Sequence, residues 1–134
     1  MGSTAPAPAS SSAPTNPDYA KAERAVKDND FKGAIPLLER IVAAEPKNAN
    51  ALNYLGYSHR KLGDKDKALA FYRRALDTDP NHPGANEYLG ELYLEMDNLQ
   101  AAEGRLWTLE QTCARCEETR ELKDAIQKYK GKKG

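Results

Sequence analysis

Leucines, a glycine and a histidine recur at helical spacing between residues 51 and 63. These four residues occupy positions i, i+3, i+4 and i+7, which places them on one face of a helix: Leu52, Leu55, Gly56 and His59. Gly63 predicts the end of this helix, because glycine adopts the left-handed conformation at little cost. Asp64 follows it as the expected N-cap of a second helix.

The second helix carries its own stripe of small and aromatic residues, at Ala68, Tyr72 and Ala75. Pro80 then closes the segment, since proline cannot continue a helix. Residues 51–82 therefore predict a helix–turn–helix hairpin whose two stripes face each other.

The hairpin pattern occurs three times. "YLGYSHRKLGD" begins at Tyr54 and "YLGELYLEMDN" at Tyr88, 34 residues later. The last unit matches at Leu89, Gly90, Tyr93, Ala102, Leu106 and Leu109, and a weaker first unit at Ala22, Ala25, Ala34, Leu38, Ile41 and Pro46. In the first unit Asn29 replaces the turn glycine, and asparagine also tolerates the left-handed conformation. A hairpin cannot bury its own apolar face, so copies at this period are expected to stack.

This order of leucine, small, aromatic, alanine and proline positions resembles the tetratricopeptide repeat. The chain departs from the family pattern at Leu52 and His59, where aromatics are preferred, and at Ala114, which occupies the closing proline position of the last unit. The resemblance implies an all-α fold: a right-handed superhelical array of antiparallel helix hairpins, or α-solenoid, of about seven helices.

The domain organisation follows from the same frame. Residues 1–16 are rich in alanine, proline and serine, which favours a disordered linker or a tag. A tetratricopeptide domain is expected over 17–130, with repeats at about 15–48, 49–82 and 83–116 and a capping helix at 117–130. The capping helix carries an apolar stripe at Leu122, Ala125, Ile126 and Tyr129. Residues 131–134 are expected to form a disordered tail.

The resemblance implies that the first helix of each hairpin lines a concave groove that binds a peptide or a partner helix. Shifting by the repeat period gives the expected lining: Asn16, Tyr19, Glu23 and Lys27, then Asn50, Asn53, Tyr57, Arg60 and Lys61, then Glu87, Glu91, Leu94 and Glu95. Asparagine amides can form hydrogen bonds with a peptide backbone, and an aromatic residue such as Tyr57 can serve as a binding anchor. The alternative is an ordinary solvated face with surface ion pairs.

The family's carboxylate clamp, which holds acidic C-termini of heat-shock chaperones, is not matched. Its positions hold Tyr19, Glu23, Gly84 and Tyr88, of which none is basic. Chaperone tails of that kind are therefore not expected as partners.

The two cysteines form the motif "CARC", Cys113 and Cys116. A structural disulfide that fixes the capping helix is the first interpretation, two free thiols the second, and redox catalysis a remote third. The remaining ligands are too few for zinc, because His59 belongs to the repeat face and His82 to a distant turn. A stable disulfide favours an oxidising compartment, so a bacterial periplasmic or exported location is expected rather than a cytoplasmic one.

The composition and motifs of the chain argue against several kinds of function. The chain has 20 basic and 20 acidic residues, which gives no argument for nucleic acid, and no apolar run is long enough for direct membrane insertion. No catalytic constellation, metal cluster or cofactor motif is present, so no enzyme, metal or cofactor is expected. Two single residues are interpreted structurally: His59 as a buried ring and Trp107 as a side chain covered by the capping helix or the cysteine turn.

The expected function is a non-catalytic scaffold or adaptor that binds a protein or peptide in the groove. A self-associating structural component of a larger assembly is the alternative. A thiol–disulfide oxidoreductase that uses the cysteine pair is a remote alternative.

Overall fold

The computed structural model describes residues 16–133, with side chains described through residue 132. Over this range the chain forms helices and no strand, which confirms the all-α prediction. The helices are α1 (Pro17–Lys27), α2 (Phe31–Ala44), α3 (Ala49–Lys61), α4 (Lys65–Thr78), α5 (Pro83–Glu95), α6 (Leu99–Thr112) and α7 (Glu117–Lys133). None of these helices has the length and apolar character needed to cross a membrane.

Local side chains define where the helices begin and turn. Asn16, Asp30, Asn48 and Asn98 each accept a backbone N–H of the first helical turn with their side-chain oxygen. The three hairpin turns each hold a residue at positive φ: Asn29 at 61°, Gly63 at 92° and Asp97 at 57°. The sequence prediction of left-handed residues at Asn29 and Gly63 is therefore confirmed.

The described residues divide into two compact units, with the boundary between Thr78 and Asp79. The first unit holds α1–α4, whose largest buried side chains are Leu38, Ile41, Leu52, Leu55 and Tyr72. Gly56 is required here, since a Cβ at this position would lie 2.6 Å from the Tyr72 ring. The close approach of α3 and α4 thus depends on a glycine that faces an aromatic ring.

The second unit holds α5–α7 around a core of Leu94, Ala102, Leu109, Leu122 and Ile126. α7 packs against both α5 and α6. A Cβ at Gly90 would lie 2.7 Å from the Leu122 side chain, so glycine lets α7 approach α5 closely. The apolar stripe predicted for the capping helix therefore does form its buried side.

Both ends of the domain differ from the predicted boundaries. Asn16 was assigned to the linker, but it caps α1 by accepting the Asp18 N–H at 3.0 Å. α7 continues to Lys133, beyond the predicted end at 130, because Gly131 remains helical and no proline follows it. The rest of the predicted linker, residues 1–15, and the last tail residue lie outside the described residues.

Candidate functional site

Helices α1 and α3 bring several predicted lining residues together within the first unit. The Tyr54 hydroxyl donates to Glu23 Oε2 at 2.9 Å, and the Tyr19 and Tyr54 rings lie 6.2 Å apart. The Tyr19 hydroxyl is also hydrogen-bonded to Tyr54 and Asn50. Burial, followed by the Glu23 charge, raises the pKa of Tyr19 to about 12, so its hydroxyl stays protonated at neutral pH. This surface, which comprises Tyr19, Glu23, Asn50, Asn53, Tyr54 and Tyr57, is called the α1–α3 face below.

Tyr57 occupies a half-buried position on the face, one turn after Asn53. Its ring meets the Phe31 ring edge-on at 5.8 Å between centroids. The Lys61 ammonium lies 5.4 Å from the same ring, within the range of a cation–π contact. Two neighbours therefore hold an aromatic ring that is still partly exposed.

Asn53 is 5% exposed, and its Oδ1 has no hydrogen-bond partner among the described residues. An unsatisfied buried amide oxygen costs about 1–3 kcal/mol. The two predicted basic residues of α3 lie in its last turn, where Arg60 is half-buried and Lys61 is exposed. α3 thus contributes two amides and two aromatic rings to the face, and the cations Arg60 and Lys61 follow at its C-terminal end.

The predicted acidic residues of α5 lie in the second unit, where Glu95 is exposed but Glu91 is half-buried and Glu87 is buried. Glu87 is 3% exposed, and its carboxyl meets those of Glu91 and of Glu121 on α7, with ligand atoms within 4.8 Å of one another. Burial, then hydrogen bonds to these two carboxyls, raises the pKa of Glu87 to about 10. Among the described residues, these three carboxyls form the group whose oxygens lie close enough together to hold a metal ion. A carboxyl that binds a cation is normally ionised, whereas Glu87 is neutral. The cluster is therefore better explained by carboxyls that share a proton than by a cation site.

The prediction that Leu94 lines an open groove is wrong. Leu94 is 9% exposed and belongs to the core of the second unit. The reason is α7, which packs on α5 and brings Leu122 and Ile126 into the same core. The capping helix thus occupies part of the α5 surface that the repeat frame assigned to a partner.

The cysteines lie at the junction of α6 and α7. Cys113 is the C-cap of α6, and Cys116 directly precedes α7. Their sulfur atoms are bonded in the structure, with the Cα atoms 5.4 Å apart, inside the range that disulfides adopt. A structural disulfide was the first interpretation of this motif.

Three further residues were interpreted from the sequence. His59 is 8% exposed and stacks on Phe71 at 5.5 Å, as expected for a structural ring. His82 is the N-cap of α5, because its Nδ1 accepts the Ala85 N–H at 3.0 Å. The expectation that Trp107 is covered is wrong, since 63% of it is exposed on α6.

Sequence reasoning missed Phe31, Tyr54 and Glu121. The last two could have been found by the repeat period: Tyr54 recurs as Tyr88, and Glu121 lies 34 residues after Glu87. No comparable pattern points to Phe31, because it is the first residue of α2 and its contact with Tyr57 depends on how the helices pack.

The fold defines an all-α protein built from helix hairpins that repeat along the chain. Two family models described as tetratricopeptide repeat match residues 19–83 and 59–111. The chain belongs to the tetratricopeptide repeat family.

Curated relatives match part of the chain. Protein CTR9 homolog of Arabidopsis thaliana is 33% identical over 72 residues, which are 54% of this chain and 7% of that protein. Alginate biosynthesis protein AlgK of Pseudomonas putida is 34% identical over 80 residues, 60% of this chain and 16% of that protein. The chain thus spans a small fraction of these relatives' length.

The type III secretion chaperone SycD of Yersinia enterocolitica, solved in complex with a peptide of the translocator YopD, has a similar fold. The TM-score is 0.75 at 19% identity, covering 87% of this chain and 92% of that one. At this identity the likeness shows a shared helical-repeat fold.

Proposed function

We propose that this protein is a non-catalytic interaction module whose α1–α3 face binds an extended peptide segment of a partner protein. The observation that carries the proposal is Tyr57, a partly exposed ring held in place by Phe31 and Lys61. A ring that is already fixed loses little conformational entropy when a ligand packs on it. Tyrosine is also among the residues that dominate binding energies at interfaces.

The polar residues of the face support a peptide ligand. Asn53 Oδ1 is buried and lacks a donor among the described residues, so a ligand N–H that reached it would remove the cost of leaving it unpaired. By contrast, Glu23 and Asn50 are engaged with Tyr54 and Tyr19, so they define the wall of the face. The SycD structure contains a bound peptide, which supports the same use of the shared fold here.

The proposal can be tested with peptides selected from a phage-displayed random library on the wild-type protein. Binding of a synthetic selected peptide is then measured by isothermal titration calorimetry. Tyr57→Ala should weaken binding about tenfold or more, a cost of about 1.4 kcal/mol or above. Tyr57→Phe, which keeps the ring, should retain most of the affinity.

Arg73→Ala is the matched control for Arg60→Ala, because Arg73 is exposed on α4 while Arg60 follows Tyr57 on α3. Only the Arg60 variant should alter binding. Equal affinities for wild type, Tyr57→Ala and Arg60→Ala, with matched circular dichroism, would contradict the proposal.

Self-association is a second candidate function, favoured by Trp107. This side chain is the most exposed of the large apolar residues described, and tryptophan is enriched at protein interfaces. Sedimentation equilibrium of wild type and Trp107→Ala distinguishes the two functions. An oligomer that dissociates on this substitution supports self-association, and a wild-type monomer at all concentrations rejects it.

A further inference from the structure

α7 is attached to the second unit by few apolar contacts. Leu122 and Ile126 are buried, Ala125 and Tyr129 pack partly, and most of the remaining side chains are exposed and polar. The Tyr129 hydroxyl donates to Asp97 at 2.8 Å, and Lys130 pairs with Glu103 at 3.0 Å on the surface. Most of the stability of a helix in a protein comes from the packing of its apolar face, so α7 depends on this docking.

One contact depends on a shared proton. Glu121 of α7 meets Glu87 and Glu91 of α5, and carboxyls this close repel one another unless they share a proton. α7 is therefore held on α5 by a few apolar side chains and by a carboxyl contact that becomes repulsive when the shared proton is lost. Such an element is expected to open locally before the rest of its unit.

The junction before α7 is held by the residues around the cysteines. The Cys113 carbonyl accepts the Cys116 N–H at 3.0 Å and the Thr119 hydroxyl at 2.6 Å. Thr119 is buried, and the Cys116 carbonyl accepts the Thr119 N–H in the first turn of α7. A bond between the two sulfurs thus fixes the turn that sets the start and direction of α7.

We propose that the Cys113–Cys116 pair is a redox latch for α7: the disulfide holds the helix on α5 and α6, and reduction releases it for local opening. Both cysteines are half-buried, so neither lies sealed in the core of the second unit. The latch acts on α7 alone and does not rest on peptide binding at the α1–α3 face.

The switching chemistry is thiol–disulfide exchange with a low-molecular-weight thiol. A reagent thiolate attacks one sulfur, breaks the protein S–S bond and forms a mixed disulfide, and the other cysteine leaves as a thiolate. A second reagent thiolate attacks the mixed disulfide and leaves as the oxidised reagent. Two electrons have then passed to the protein, and both cysteine thiolates take protons from water.

Hydrogen exchange followed by mass spectrometry tests the latch on the full chain, oxidised and after reduction by dithiothreitol. Reduction should speed exchange of the α7 amides about tenfold, the order expected from a short closed loop. Amides of α6 and of the first unit should change little. The Cys113→Ser/Cys116→Ser variant should exchange like the reduced wild type and should not respond to dithiothreitol.

Three outcomes would overturn the proposal: equal α7 exchange in both redox states, an equal change over the whole chain, or free thiols that persist after oxidation. If the double serine variant fails to fold, the comparison of oxidised and reduced wild type still decides, because it needs no substitution. Thr119→Val gives a second measure, since it removes the hydroxyl bond to Cys113 while leaving the disulfide. In that variant α7 should stay more protected in the oxidised state than in the reduced state.

Discussion

At the residue scale, the turns and caps show what local chemistry predicts. Gly63 and Asn29 were expected in the left-handed conformation, and both adopt it. His82 was not expected as a cap, because histidine is not among the usual N-cap residues. Its role appears only when the chain before Pro83 orients Nδ1 toward the Ala85 N–H.

The His82 cap predicts a loss of stability in acid. Burial lowers the pKa of His82 from 6.5, so the folded state favours the neutral ring. The contribution of His82 to the free energy of unfolding is therefore complete above the pKa that the residue has in the unfolded state. It is lost as the pH falls through the lower pKa of the folded state, because a protonated Nδ1 cannot accept the Ala85 N–H. Urea melts of wild type and His82→Asn over this range measure the effect.

Asparagine keeps a cap oxygen that does not titrate, so the His82→Asn variant should show a weaker acid loss than wild type. His59 titrates in both proteins and therefore cancels in the comparison. Identical pH profiles would show that the cap bond does not contribute.

Core leucines provide a second prediction at this scale. Leu55 is 1% exposed and Leu89 2%, so truncation of either to alanine should destabilise its unit by about 2–5 kcal/mol. Leu62→Ala is the control, since Leu62 is 44% exposed and should cost under about 0.5 kcal/mol. Urea melts that give equal losses for Leu55→Ala and Leu62→Ala would contradict the assigned core.

At the element scale, the repeat period predicted the hairpins, and the helical spacing of apolar residues after the last repeat predicted the buried stripe of α7. It did not predict how much of α5 the last helix covers, since that depends on packing across elements. Leu94 was therefore assigned to a groove although it lies in the core, and Trp107 was expected to be covered although it is exposed. Both errors concern neighbours that lie outside the repeat pattern.

The contact of α5 with α7 predicts an unusual dependence on pH. Folding raises the pKa of Glu87 from 4.5 to about 10. The contribution of Glu87 to the free energy of unfolding is therefore complete below the pKa of the unfolded state and is lost as the pH rises toward the pKa of the folded state. Glu87→Gln cannot ionise, and its amide can donate to Glu91 or Glu121. The variant should exceed wild type in stability by about 1–2 kcal/mol near the top of this range.

This difference should shrink as the pH approaches 4.5. Glu110→Gln is the matched control, because Glu110 is exposed on α6, and it should leave the pH profile unchanged. A Glu87→Gln variant less stable than wild type in alkali would show that Glu87 is ionised in the fold.

At the scale of the whole molecule, the sequence could predict an all-α repeat protein but not its partner. Stacking constrains leucine, glycine and alanine positions, and these recur every 34 residues. The residues that would select a ligand are under no such packing constraint. Tyr57 and Asn53 could be placed on the right helix from the period, whereas Phe31 and the unsatisfied Asn53 oxygen required coordinates.

The most direct test of the interaction module is an NMR titration of the ¹⁵N-labelled chain with a library-selected peptide. We expect saturable shift changes concentrated at α1 and α3, with the largest at Tyr19, Asn53 and Tyr57. These changes should be absent or strongly reduced in Tyr57→Ala. Saturable changes that instead cluster on α6 around Trp107, and persist in Tyr57→Ala, would contradict peptide binding at the α1–α3 face.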